Sequence, residues 1–198
     1  MSGPGWGGPG WSGPGSGGPG PLLDAIDFAA HAHRHQRRKG AMAVPYINHC
    51  VGVATRLARC GVAELAVLQA AILHDVVEDT EVTLAEVAAR FGAEVAGLVG
   101  EVTDDKSLEY AARKQAQIDH AAHKSPGAAC IKIADKACNL DDLVSDPPSW
   151  PPARLQAYVV WAAQVIAQLP AVPSALAADC AASLARAQHH FGVPPSAD

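Results

Sequence analysis

The chain has 198 residues, of which 49% are hydrophobic and 5% aromatic, and it carries a formal net charge of −5. This length suits one compact domain and is too short for two large ones. The mild acidity gives no general attraction to nucleic acid or anionic membrane, and no apolar run approaches the roughly 18 residues that a bilayer-spanning helix requires.

Residues 1–21 hold 10 of the 18 glycines, 5 of the 15 prolines and 2 of the 4 tryptophans, with no charged side chain. Their SGPG and GGPG repeats lack the basic start and greasy middle of a signal peptide and the strict triplet of collagen, so the stretch reads as a disordered tail. The folded domain is expected over residues 22–192 and carries the whole net charge. Leu22, Leu23, Ile26, Ala29 and Ala30 recur at helical spacing and run into His31–Lys39. A first helix is therefore predicted, with Arg34, Arg37, Arg38 and Lys39 at its carboxyl end, where the helix dipole favours cations.

Gly40–Pro45 breaks that helix, and Tyr46–Arg59 reads as a second one closed by Gly61. Val62–Glu78 reads as a third, apolar on nearly every face until its last turn, as central buried helices are. Thr83 and Glu86 form a capping box for a short helix that reaches Phe91 and stops at Gly92. Ala93–Val102 and Leu108–His120 follow. Ser125–Pro126–Gly127 reads as a loop, after which Ala128–Leu143 is helical again. Ala153–Leu169 behind Pro151 and Pro152, and Pro173–His190, complete an all-α bundle without a convincing strand pair.

Cys50, Cys60, Cys130, Cys138 and Cys180 form no CxxC pair. An odd number without a secretory signal argues for reduced thiols in a cytoplasm.

His74-Asp75-Val76-Val77-Glu78-Asp79 is the strongest local signal for chemistry. His74 and Asp75 lie about 100° apart around a helix axis, so one metal placed between them is within reach of both. Glu78 and Asp79 follow each of them by four residues, one turn further on the same face. The pair emerges from the apolar stretch Ala66–Leu73, where an uncompensated charge is costly. A surface dipeptide in that position would be unusual. His31, His33 and His35 read instead as solvated residues or phosphate contacts, because a better ligand set lies elsewhere. Lys106 reads equally well as half of an exposed ion pair or as a substrate contact.

Two further segments complete a pattern. Pro45-Tyr46-Ile47-Asn48-His49 puts a histidine at the start of the second helix, and Ile131-Lys132-Ile133-Ala134-Asp135-Lys136-Ala137-Cys138-Asn139 puts an aspartate inside an apolar one. Together with Glu101-Val102-Thr103-Asp104-Asp105-Lys106 and Ser125-Pro126-Gly127-Ala128, these motifs resemble, in order, the HD-domain phosphohydrolases. The likeness is to the hydrolase half of RelA/SpoT-type alarmone enzymes, in particular the free-standing small forms found in animals.

The resemblance implies an HD-type helical bundle in which His49, His74, Asp75 and Asp135 bind one divalent metal, Mn²⁺ by family preference. Fe²⁺ or Zn²⁺ would also suit imidazole and carboxylate donors. It further implies that Glu78 and Asp79 position and deprotonate water, and that Arg38, Lys39, Tyr46, Lys106, Asn139 and Tyr158 contact the substrate. That substrate would be a small nucleotide, guanosine tetra- or pentaphosphate, which loses its 3′ pyrophosphate. Removal of the 2′-phosphate of NADPH is the alternative activity within the wider resemblance. The synthetase activity of the longer enzymes needs a separate downstream domain, for which the 59 residues after Asn139 are too few. The chain departs from the family pattern at Cys50, where proline is usual, at Asp141, where arginine is common, and in the apolar Ala41–Val44. The oligomeric state is not legible.

Overall fold

The computed structural model describes residues 18–195. Its described residues form ten α-helices and one 3₁₀ turn, and their only β-type pairings are the isolated bridges Arg37–Pro45 and Gly40–Pro148. The residues expected to form a tail lie outside the described part as far as residue 17. Gly20 and Pro21, at the end of that stretch, instead belong to α1 (Gly20–Ala32).

The basic run lies beyond α1. His33 closes the helix through its backbone N–H, and its ring, 2% exposed, stacks on Tyr46 at 4.9 Å while Nδ1 meets Gln36 Oε1 at 2.5 Å. Burying this aromatic pair turns the chain away from the helix path, so Arg34–Lys39 form an irregular segment rather than a helical carboxyl end. Neither His33 nor the following cations sit where helical periodicity placed them.

α2 (Ile47–Arg59) ends at Gly61, whose φ of +86° suits a residue without Cβ. The expected long third helix is broken in two, α3 (Leu65–Leu73) and α4 (Val76–Asp79), with His74 and Asp75 at the joint. α5 (Leu84–Phe91) carries the Thr83–Glu86 capping box, and α6 (Ala93–Val102) follows across Gly92 at φ +91°. α7 (Tyr110–Asp119) buries none of its residues.

α8 (Pro126–Ser145) begins where a loop was expected. Ser125 caps it by accepting a hydrogen bond from the Ala128 N–H, and Pro126 sits in the first turn, where a missing N–H costs nothing. A Cβ on Gly127 would lie 2.9 Å from Leu98 and 3.2 Å from Val67, so the close approach of α8 to its neighbours requires glycine there. α9 (Pro152–Gln168) and α10 (Ser174–Phe191) complete the bundle.

Two apolar clusters hold these helices. The larger joins Leu57, Leu73, Val76, Val87, Val99 and Ile131, and the smaller joins Leu140, Leu143, Val159, Trp161 and Val165. Each fully buried Leu, Ile or Val contributes roughly 1.5–3 kcal/mol. α8 belongs to both clusters, so its polar residues are held from both sides, and that rigidity is what positions the site.

Candidate active site

The joint between α3 and α4 turns His74 and Asp75 toward α2 and α8. His74 Nε2 lies 3.0 Å from Asp75 Oδ2 and 3.8 Å from Asp135 Oδ1, while His49 Nε2 lies 3.2 Å from Asp135 Oδ1 and 3.8 Å from Asp75 Oδ2. All four expected metal ligands therefore converge on one point. His74 Nδ1 donates to the Ala71 carbonyl at 2.8 Å, which fixes the tautomer and leaves Nε2 with a lone pair aimed into the cluster. That buried Nε2 has no hydrogen-bond partner of its own. Two imidazoles and two carboxylates, with His74 Nε2 otherwise unsatisfied, fit a divalent cation of the Mn²⁺, Fe²⁺ or Zn²⁺ type.

Electrostatics support the same reading. Burial pulls the His74 pKa down, but the Asp75 and Asp135 carboxylates outweigh it and push it up to about 10. At His49 burial prevails and the pKa is lowered. Without another cation, the two acids thus draw one positive charge onto His74. Burial works against ionising the acids, yet His74 holds Asp75, and Lys136 at 3.2 Å holds Asp135, below the usual carboxylate range. Cys50 lies within ligand distance of His74 and Asp75, but burial pushes its thiol well up.

Glu78 and Asp79 stand beside the cluster. Tyr46 Oη is 2.8 Å from Asp75 Oδ2 and 3.1 Å from Asp79 Oδ2, so one phenol ties the two carboxylates together. Lys106 Nζ pairs with Asp79 Oδ1 at 2.5 Å and Gln36 donates to the Asp79 carbonyl, so Lys106 sits at the rim of the site. Glu78 accepts the Asp104 N–H at 3.1 Å. Burial first, and then the Asp104 carboxylate, push the Glu78 pKa up to about 7.

These groups form the floor of a cleft of about 740 Å³ that also takes in Arg37, Arg38, Lys39, Asn139 and Tyr158. Arg38 bonds Asn139 Oδ1 at 2.5 Å and Asp142 Oδ2 at 2.9 Å, and Asn139 donates to Asp135 Oδ1 at 2.6 Å. Tyr158 stands against Trp150, ring centres 6.2 Å apart, with Lys39 Nζ 5.9 Å from the Trp150 ring. Every sequence-predicted site residue lines this cleft or the ligand cluster at its base.

The sequence reading missed several cleft residues. Lys132 is 6% exposed, donates to the Val102 carbonyl at 3.2 Å and lies 3.8 Å from Asp104 Oδ1. Lysines at 132 and 136, one turn apart in an apolar segment, were a usable signal, because a buried amine needs a partner. Gln117, which bonds Asp104, and Trp150 and Arg113 carried no local signal, since only the tertiary fold brings them to the cleft. Asp141 points elsewhere, to Arg56 at 2.5 Å and Arg186 at 2.7 Å, so that departure leaves the cleft wall unchanged.

A helical bundle that gathers imidazoles and carboxylates around one point, with further acids beside them in a cleft that also holds lysines and arginines, defines a metal-dependent hydrolase domain. Residues 25–164 match the HD domain model, and the chain belongs to that family. Over 147 residues it is 54% identical to the guanosine-3′,5′-bis(diphosphate) 3′-pyrophosphohydrolase MESH1 of mouse and of human, an overlap covering 73% of this chain and 82% of each relative. The solved structure of a metazoan ortholog of SpoT, described as hydrolyzing ppGpp and playing a role in starvation responses, is similar with a TM-score of 0.81. Its identity is 41%, over 88% of this chain and 97% of that one.

Proposed function

We infer that this protein is a metal-dependent 3′-pyrophosphohydrolase of guanosine tetra- and pentaphosphate, releasing pyrophosphate and leaving GDP or GTP. The observation that carries this reading is the convergence of His49, His74, Asp75 and Asp135 beside Glu78 and Asp79 at the base of a cleft whose walls carry Arg37, Arg38, Lys39 and Lys106. The names of the mouse and human relatives support the same activity. His49, His74, Asp75 and Asp135 hold the cation, for which Mn²⁺ is proposed. Once bound, such an ion lowers the pKa of water and offsets charge on a phosphoryl oxygen.

Glu78, with a pKa near neutrality, accepts a proton from the attacking water. Asp79, fixed by Tyr46 and Lys106, holds that water in place. The water oxygen bonds to the phosphorus attached to O3′ and the P–O3′ bond breaks. Its electron pair stays on O3′, which takes the proton returned by Glu78. Arg38 and Lys39 offset phosphate charge, while Asn139 and Tyr158 face the ribose and base. Tyr158 beside Trp150 offers an aromatic wall for that base.

A small nucleotide as partner, a cytoplasmic setting and the absence of nucleic-acid or membrane partners belong to the same proposal. Among the described residues no helix is long and apolar enough to cross a membrane, and all five cysteines are free thiols. The test is to incubate the purified chain with Mn²⁺ and ppGpp, with NADPH as competitor. GDP and pyrophosphate should form with the higher kcat/KM. Absence of ppGpp turnover, or a higher kcat/KM for NADPH, overturns the proposal.

A further inference from the structure

The cleft runs along one face of α8. Lys132, Asp135, Asn139, Asp142 and Asp146 line it at three-to-four spacing, a span of about 21 Å at 1.5 Å per residue. The ligand cluster sits at Asp135, so the cleft has two ends. Toward the carboxyl end of α8 lie Asn139, Trp150 and Tyr158, together with Arg37, Arg38 and Lys39. Toward the amino end lie Lys132, Asp104 and α7, whose Gln117 bonds Asp104.

Arg113 stands one turn before Gln117, on the same face of α7, and lines the cleft at that second end. It is half-buried, its guanidinium carbon lies 5.8 Å from the Tyr110 ring, and among the described residues no carboxylate pairs with it. The other two cations at that end are already paired, Lys132 with Asp104 and Lys106 with Asp79. A half-buried guanidinium without a paired carboxylate on the wall of this cleft suits a phosphate, which it can grip through two parallel N–H bonds.

With the nucleoside at the Trp150 end, the bond to be cut lies over the ligand cluster, and the far phosphate of the departing diphosphate extends toward α7. We propose that Arg113 forms, with Lys106 at the rim, a subsite for the terminal phosphate of the 3′ pyrophosphoryl group that is transferred to water, and so selects diphosphate over monophosphate at that position. Arg37 and Lys39, at the opposite end, serve the 5′ phosphates that are retained. This assignment rests on the alarmone reading and adds to it a residue that sets which 3′ group is cleaved.

The test compares the full chain with its Arg113→Gln and Arg113→Lys variants, all loaded with Mn²⁺. The substrates are ppGpp, guanosine 5′-diphosphate 3′-monophosphate, and guanosine 3′-diphosphate without 5′ phosphates. For Arg113→Gln, the ratio of kcat/KM on 3′-diphosphate to that on 3′-monophosphate should fall about ten-fold or more, the scale of one charge-assisted hydrogen bond. The loss should persist without 5′ phosphates, and Arg113→Lys should recover part of it. Inhibition by pyrophosphate should weaken to a similar degree, while inhibition by GDP does not.

Arg113 belongs to neither apolar cluster and holds no ion pair among the described residues, so the variants should melt with the parent. An equal loss on both 3′ groups, a loss that disappears without 5′ phosphates, or no loss overturns the assignment. Failure of the parent chain to cleave any of the three overturns the alarmone reading and this subsite together.

Discussion

Two aspartates of α8 belong to two different polar clusters. Asp135 faces the cleft, and Asp141, six residues on and about a third of a turn around the axis, faces α2 and α10. The Asp141 cluster pairs acids with guanidiniums. Asp141 accepts from Arg56, Arg186 and Ser183, and Asp179 lies 3.0 Å from Arg56 Nε, so two acids meet two guanidiniums. At Asp135 two carboxylates face two imidazoles, and both Nε2 atoms point at the carboxylate oxygens. A cluster whose charges are matched by its own side chains joins helices, whereas one whose lone pairs converge is built for something added. The Asp135 cluster is also the more deeply buried, with Asp135 10% exposed against 32% for Asp141 and 41% for Asp179.

The comparison breaks most readily at Asp135. Asp135→Asn should strip bound metal, measured by elemental analysis, and reduce ppGpp turnover by more than about 10³-fold, since the cation carries both water activation and charge stabilisation. Retained metal with retained turnover would place the two clusters in the same class. Glu78→Gln and Asp79→Asn should each keep the metal and lose about 10²–10⁴ in kcat, the range for a general acid–base group.

The raised pKa of Glu78 sets the sign of the pH dependence. As a base it works deprotonated, so its carboxyl, which titrates at about 7 in the metal-free protein, loses activity as pH falls through its midpoint. Asp104 and Asp75 raise that midpoint and Lys132 lowers it. Asp104→Asn should therefore shift the acid limb of kcat/KM to lower pH, and an unmoved limb would remove Glu78 from the role of base.

Tyr46→Phe cuts the tie between Asp75 and Asp79 and should cost about 10–100-fold in metal affinity or kcat, as loss of an outer partner of a ligand does. Asp141→Ala should have the smallest functional effect. Turnover should stay within about two-fold, because Asp141 faces away from the cleft and shares no hydrogen-bond partner with the ligand cluster. The melting temperature should drop by about 2–4 °C per kcal/mol of pairing lost. A change in turnover comparable to that of Tyr46→Phe would show that the two faces of α8 are coupled.

Much of this was legible in the sequence, for identifiable reasons. The Thr83–Glu86 box, the stop at Gly92 and the span Ala93–Val102 follow from local chemistry and appear as read. Local rules failed where a tertiary contact prevailed. The stack of His33 on Tyr46 takes the basic run off its helix, and His74 and Asp75 interrupt an apolar run that periodicity alone carries through. His49 and Asp135 follow from resemblance and not from spacing, because they lie 86 residues apart and only the packing of α2 against α8 joins them. The pairing of Lys106 with Asp79 had no local signal, and neither did the position of Arg113.

The central claim is that the four converging ligands hold one cation on which pyrophosphate release depends. Titrating Mn²⁺ into chelator-stripped protein while following GDP and pyrophosphate from ppGpp tests it directly. The account predicts no turnover in the stripped protein and a rise in rate that saturates at one bound Mn²⁺ per chain. Full turnover in the stripped protein, or saturation with the Asp135→Asn variant at the same stoichiometry and rate, would contradict it.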